Sequence, residues 1–250
     1  MARRSLLILL SIWALFSQAI GAPLAIVERD TEVSKVPLRI LPLGASITWG
    51  TGSSTGNGYR KPLYDELKKN GFEVDMVGSK EHGDMKDRNV EAHEGDVIDQ
   101  VKAASRNSLK YKPNVVLVEA GTNDANQNGE NNKNPISKAG ERMNRLIDTL
   151  VDAPGMEDTV VILSTLLPSG AKNVKANRPS INKQFEELVK TLSTSHKKIS
   201  VVLADMSSIQ YPKEFHDQIH PNDDGYTEMA SIWYKAISKA AKDGLIHKAS

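Results

Sequence analysis

The chain has 250 residues, 39% of them hydrophobic and 25% charged, with a formal net charge of +1. That is globular composition with length for one sizeable core, and it lacks the basic excess of a nucleic-acid binder. With no cysteines, the chain has no disulfides, thiolate metal sites or cysteine nucleophile.

The first nineteen residues stand apart. Met1 to Arg4 is basic, Leu6 to Phe16 is almost wholly apolar, and Ser17-Gln18-Ala19 supplies small residues. This is the pattern of a secretory signal peptide, cleaved after Ala19. A membrane anchor is the alternative, but the run falls short of the ~20 residues a span needs. Cleavage removes Arg3 and Arg4 and takes the net charge from +1 to −1. The expected location is extracellular, and neither a nucleic acid nor an acidic membrane is an expected partner. No Asn-x-Ser/Thr glycosylation acceptor is present. Residues 20–36 lack periodicity and read as a leader, and 37–245 as one domain.

Within that domain strands and helices alternate. An apolar run at 38–43 predicts the first strand, ending at Gly44. Asn57-Gly58 opens a helix over about 59–70, stopped by Gly71. A second strand follows at 72–77, and 78–94 reads as a long polar loop. Residues 97–109 are helical, with Val97, Ile98, Val101 and Ala104 on one face. Strands at 115–118, 159–166 and 199–204 alternate with helices at 136–151, 181–192 and 223–241. Five strands alternating with helices argue for a single three-layer α/β/α domain around a five-stranded parallel sheet.

Four segments could carry chemistry. In ILPLGASITWG, residues 40 to 50, Ser46 lies just past the first strand, where an open α/β sheet places its active residues. Taken alone, it is an ordinary turn. In AHEGDVIDQV, residues 92 to 101, Gly95 precedes a helix start and its N–H could face the same cleft. In EAGTNDAN, residues 119 to 126, Asn123 offers an amide donor for an oxyanion, or a turn that caps its own backbone. In EFHDQIHPNDDGY, residues 214 to 226, Asp217 and His220 are three apart. A carboxylate there can hold one imidazole nitrogen while the other faces outward, the arrangement that activates a serine. Pro221 biases His220 away from helical geometry. His216 is a rival base without that proline or spacing.

Two further patterns are decoys. GSSTG, residues 52 to 56, matches G-x-S-x-G around Ser54, but no strand runs into it. The glycine-rich run 50–58 lacks a phosphate-loop ending. No histidine pair or complete acidic loop suggests a metal.

Taken together and in this order, GASIT, the Gly95 segment, GTND and DQIHPND resemble the SGNH, or GDSL-type, hydrolases over roughly residues 38 to 240. The resemblance implies Ser46 as nucleophile, His220 as base and Asp217 as its partner. It implies the Gly95 N–H, the Asn123 amide and the Ser46 N–H as oxyanion donors. The longer stretches ILPLGASITWGTGSSTGNGYRKPLYDEL and VDMVGS, with the segment from Gly95 to IDQV, are similar to carbohydrate esterase family 3. That similarity implies a flavodoxin-like fold of strand order 2-1-3-4-5. It also implies a secreted acetyl xylan esterase-like enzyme that needs no cofactor or metal, with acetylated polysaccharide or oligosaccharide as its partner. A monomer is expected, although the sequence does not identify the oligomeric state. Other esterases or lipases of the same fold, or a non-catalytic carbohydrate-binding module, are the alternatives. Two positions depart from the pattern. Ala45 replaces the acid of the usual Gly-Asp-Ser, and Asp96 stands where an aromatic is common.

Overall fold

The computed structural model describes residues 36–127, 134–195 and 200–250. The expected signal peptide, and the leader as far as residue 35, lie outside them. The strands are β1 (Leu38–Gly44), β2 (Val74–Met76), β3 (Lys80–Glu81), β4 (Asn89–Ala92), β5 (Val115–Glu119), β6 (Val160–Ser164) and β7 (Ser200–Ala204). The helices are α1 (Ser46–Trp49), α2 (Arg60–Lys69), α3 (Ile98–Ser105), α4 (Thr122–Gln127), α5 (Ala139–Val151), α6 (Lys172–Ser195) and α7 (Asp223–Lys242).

β1 is the centre of the sheet, and successive side chains along it leave to opposite faces as strand geometry requires. Leu38 and Ile40 pack with Leu63 and Leu67 of α2 and with Met229 and Trp233 of α7. Leu41 and Leu43 pack on the other face, with Ile98 of α3, Leu146 of α5 and Phe185 of α6. A sheet buried on both faces by helices gives the expected three layers.

One edge of β1 carries β5, in parallel register from Ile40↔Val115 to Gly44↔Glu119. β6 and β7 continue outward from β5, also parallel. The other edge is shared. β2 pairs with its first half, Leu38↔Val74 to Ile40↔Met76, and β4 with its end, Leu43↔Glu91 and Gly44↔Ala92. The five strands expected from the sequence therefore lie in the order implied for them.

Among the described residues the sheet has seven strands rather than five. The two additions, β3 and β4, fall in the stretch 78–94 expected to be a loop. They form a short antiparallel pair, Lys80↔Val90 and Glu81↔Asn89. Strands of two and four residues are too short to show a periodic signal. Their existence depends on the free end of β1, which the local sequence cannot report.

Four helices also differ from expectation. α1 is a single helical turn at Ser46–Trp49, where a turn was expected. α4 begins at Thr122, where a loop was expected. α6 begins nine residues before the expected start at Ile181 and runs through Pro179. Proline normally ends a helical pattern, but side chains from this first stretch are anchored elsewhere in the fold. Asn173 and Asn177 donate to the carbonyls of Asn126 and Ala125, and Arg178 donates to that of Leu166. α3 stops at Ser105, and a single 3-10 turn at Leu109–Tyr111 takes up the rest.

Candidate active site

β4, β1 and β5 are neighbours, and all three end at the same level, with Gly44 paired to both Ala92 and Glu119. The loops that carry Gly95, Ser46 and Asn123 leave from those three strand ends. This is the carboxyl-end crevice of an open α/β sheet.

Gly44 is dictated by close approach. A Cβ there would lie 2.3 Å from the Glu119 carbonyl oxygen and from Thr48 Oγ1. Ala45 then takes the N-cap position in a non-helical conformation with no side-chain cap, and Ser46 opens the single turn of α1. Gly50 closes that turn at φ +101°, its N–H donating to the Ser46 and Ile47 carbonyls. Beyond Ala45, several other contacts restrain this loop. Thr51 N–H donates to the Ser46 carbonyl at 3.0 Å, and the Tyr226 hydroxyl donates to the Thr51 carbonyl at 2.7 Å. The buried Arg60 guanidinium donates to the carbonyls of Trp49 and Gly56.

The partner of Ser46 arrives from 174 residues away. The segment before α7 folds back on itself. His216 N–H donates to the His220 carbonyl at 2.9 Å, and Asn222 caps α7 by accepting from Gly225 N–H at 3.0 Å. Asp217 sits in this bend. Its Oδ1 accepts the N–H groups of Ile219 and His220, each at 2.7 Å. Its Oδ2 lies 2.8 Å from His220 Nδ1. Burial alone would raise this carboxyl, but the imidazole and the two backbone donors outweigh it and hold it below its ordinary value. An ionised carboxylate fixes the proton on Nδ1 and leaves Nε2 as acceptor. The Ser46 hydroxyl donates to Nε2 at 2.9 Å.

The rival residues lie apart from this arrangement. His216 is exposed and joins His220 only through the backbone. Ser54 is exposed, and its N–H donates to Asp223 Oδ1 at 3.0 Å, tethering the glycine-rich loop to the start of α7.

On the other side of the crevice, Asn123 stands in the first turn of α4. One hydrogen of its Nδ2 goes to the Asp96 carbonyl at 2.9 Å, which leaves the second hydrogen of that NH₂ for another acceptor. Gly95 is exposed with φ +83°, a conformation that side-chain-bearing residues rarely adopt. Its turn is closed by Asp96 N–H on the His93 carbonyl, and His93 N–H donates to the Gly44 carbonyl, both at 3.3 Å. The Gly95 and Asn123 segments are thus joined directly, and the first is joined to the end of β1.

Several charged residues that hold these loops were not marked by any sequence pattern. Asp124 is buried, accepting Ile98 N–H at 3.0 Å and Arg142 at 2.8 Å, so it ties the start of α3 to α4 and α5. Burial raises its carboxyl despite those donors. Glu91 is buried on β4. It lies 2.9 Å from His93 Nε2 and accepts from the Ser108 hydroxyl at 2.5 Å and Ser79 N–H at 3.3 Å. Burial would raise its carboxyl too, but here the donors prevail and hold it low. Glu119 lies buried under the crevice, and burial pushes its carboxyl up to about 7 against one weak donor, Thr122.

A hydroxyl held on an imidazole, which is held in turn on a carboxylate, is equipped for acyl transfer. Comparison with known proteins agrees. Residues 40–233 match the family described as GDSL-like Lipase/Acylhydrolase. A multidomain esterase of Ruminococcus flavefaciens is 28% identical over 226 residues, a stretch that covers 80% of this chain but 28% of the esterase. A family 3 carbohydrate esterase of Clostridium thermocellum superposes with TM-score 0.70 at 26% identity, covering 84% of this chain and 99% of that structure. A family 3 carbohydrate esterase of Talaromyces cellulolyticus, at 21% identity and TM-score 0.64, shares the fold over 82% of this chain and 99% of its own. The match spans most of the chain, which therefore belongs to the GDSL-like lipase/acylhydrolase family, the SGNH esterases and acylhydrolases.

Proposed function

We propose that the protein is a secreted serine esterase that removes O-acetyl groups from plant polysaccharide, acetylated xylan or a similar polymer. The observation that carries the reaction is the chain of contacts from Ser46 Oγ to His220 Nε2 at 2.9 Å and from His220 Nδ1 to Asp217 at 2.8 Å. The substrate class is supported by the likeness to the Clostridium thermocellum family 3 carbohydrate esterase.

In this reading His220 takes the Ser46 proton as Oγ attacks the acetyl carbonyl. The Ser46 and Gly95 N–H groups and the free amide hydrogen of Asn123 receive the oxyanion. His220 then gives its proton to the departing sugar oxygen, and the acetyl group stays on Ser46. A water deprotonated by the same imidazole attacks that ester and releases acetate. Asp217 remains ionised throughout and stabilises the imidazolium. The base acts only in its neutral form.

The test is acetate release from acetylated xylan by the wild type and by Ser46→Ala. The variant is expected to lose about 10⁶-fold in kcat. If the wild type hydrolyses aryl acetates through Ser46 yet frees nothing from xylan, the esterase stands and the polymer is wrong. If the folded wild type turns over neither, the reaction itself is wrong.

A further inference from the structure

Trp49 ends the single helical turn that Ser46 begins. Residues three apart on a helix share a face. Trp49 is half-buried, whereas Trp233 is fully enclosed, so Trp49 is the one partly exposed tryptophan among the described residues. Its ring stacks on that of His82, with centroids 4.0 Å apart and planes 15° from parallel.

The stack is rigidly mounted. The fully buried Arg60 donates to the carbonyls of both partners, to Trp49 at 3.2 Å and to His82 at 2.9 Å. The same guanidinium takes the carbonyls of Gly56 at 3.0 Å and Arg88 at 3.1 Å. Gly56 packs against the imidazole so closely that a Cβ there would lie 3.0 Å from His82 Nε2. Burial, and then the charge of Arg60, push His82 below its ordinary value, so its ring is neutral at neutral pH. Two residues beyond Trp49, the Thr51 hydroxyl donates to the exposed Glu94 at 2.6 Å, next to Gly95. The arginine that restrains the Ser46 loop therefore also fixes the backbone of both stacked rings, so the ring of Trp49 is held at a set position relative to Ser46.

We propose that the Trp49–His82 stack is a sugar-binding platform that positions an acetylated sugar ring for attack by Ser46. The apolar C–H face of a pyranose complements the electron-rich face of an aromatic ring. A ring already held in place loses little freedom on binding. Glu94 offers acceptor oxygens to neighbouring hydroxyls. This inference rests on the polysaccharide reading above and narrows it to a residue.

The experiment compares Trp49→Ala and Trp49→Phe with the wild type on acetylated xylo-oligosaccharides and on 4-nitrophenyl acetate, which has no sugar ring to stack. In Trp49→Ala the ratio of kcat/KM on oligosaccharide to kcat/KM on aryl acetate is expected to fall about tenfold, mainly through KM. Trp49→Phe should recover most of it. Equal losses on both substrates, or no loss on either, overturn the platform. Binding gives an independent measurement. Unacetylated xylohexaose added to Ser46→Ala should change tryptophan emission, and the change should vanish in Ser46→Ala/Trp49→Phe. If the wild type frees acetate from no saccharide, the polysaccharide reading fails by itself. The platform is then decided by this titration, where an unchanged emission overturns it.

Discussion

Asp217, in the loop before α7, is half exposed and accepts three hydrogen bonds. Glu119, at the end of β5 beside Gly44, is buried and accepts one long bond from Thr122 at 3.4 Å. Asp217 stands beside His220 on the rim of the crevice, and Glu119 at the strand end that forms its floor. Their environments drive them in opposite directions. Donors keep Asp217 ionised, and burial pushes Glu119 up to about 7. The number of donors, set against the depth of burial, decides which acid carries the charge that a histidine base can use. Glu91 makes a related point, since burial would raise it too but its donors hold it low.

The rim is where rate should be lost. Asp217→Asn removes the charge and keeps the shape, so the imidazole is no longer held in the required tautomer. The expected loss in kcat is about 10⁴-fold. If kcat falls less than about tenfold in a folded variant, the Ser46–His220 pair suffices by itself. Across the crevice, Asn123→Ala removes the amide proposed as an oxyanion donor and also the tie to the Asp96 carbonyl. A drop of about 10²–10³ in kcat with little change in KM is expected, because an oxyanion exists only after attack. An unchanged kcat takes Asn123 out of the chemistry and leaves it as a link between two loops.

The same contrast explains what could be read from the sequence. Ser46, Asp217 and His220 are marked by local signals: a strand end, a spacing of three and a following proline. The structure places them together at hydrogen-bonding distance. The main strands and helices are likewise written in periods of two and 3.6 residues. The floor and its supports carry no such mark. Arg60 looks like any helix residue until four carbonyls from residues 49, 56, 82 and 88 converge on it. Asp124 meets Arg142 only when α4 packs near α5, and β4 exists only because the end of β1 has a free edge. Pairings of this kind are set by the assembled fold. The acid expected at position 45 is absent, and contacts to Thr51, Tyr226 and Arg60 that no local motif contains tie the loop down.

The floor should betray itself in stability rather than in rate. Glu119 titrates near its ordinary value of 4.5 in the unfolded chain and at about 7 in the folded one. The folded state therefore holds this proton more tightly. Below pH 4.5 the group is protonated in both states and imposes no penalty. As the pH rises through 7 the folded protein must either keep the proton against the solvent or bury a charge, and stability is lost across that window. At pH 8 the penalty is about 3 kcal/mol, the free-energy equivalent of raising the carboxyl from 4.5 to about 7. Glu119→Gln keeps the shape and the acceptor for Thr122 but cannot ionise. Urea unfolding should find the variant more stable than wild type at pH 8, and the gap should shrink to about 1 kcal/mol or less at pH 5. An equal gap at both values would mean that Glu119 is already ionised at pH 5 in the folded protein, relieved by a donor other than Thr122. The contrast between a rim carboxyl held low and a floor carboxyl pushed up to about 7 would then collapse.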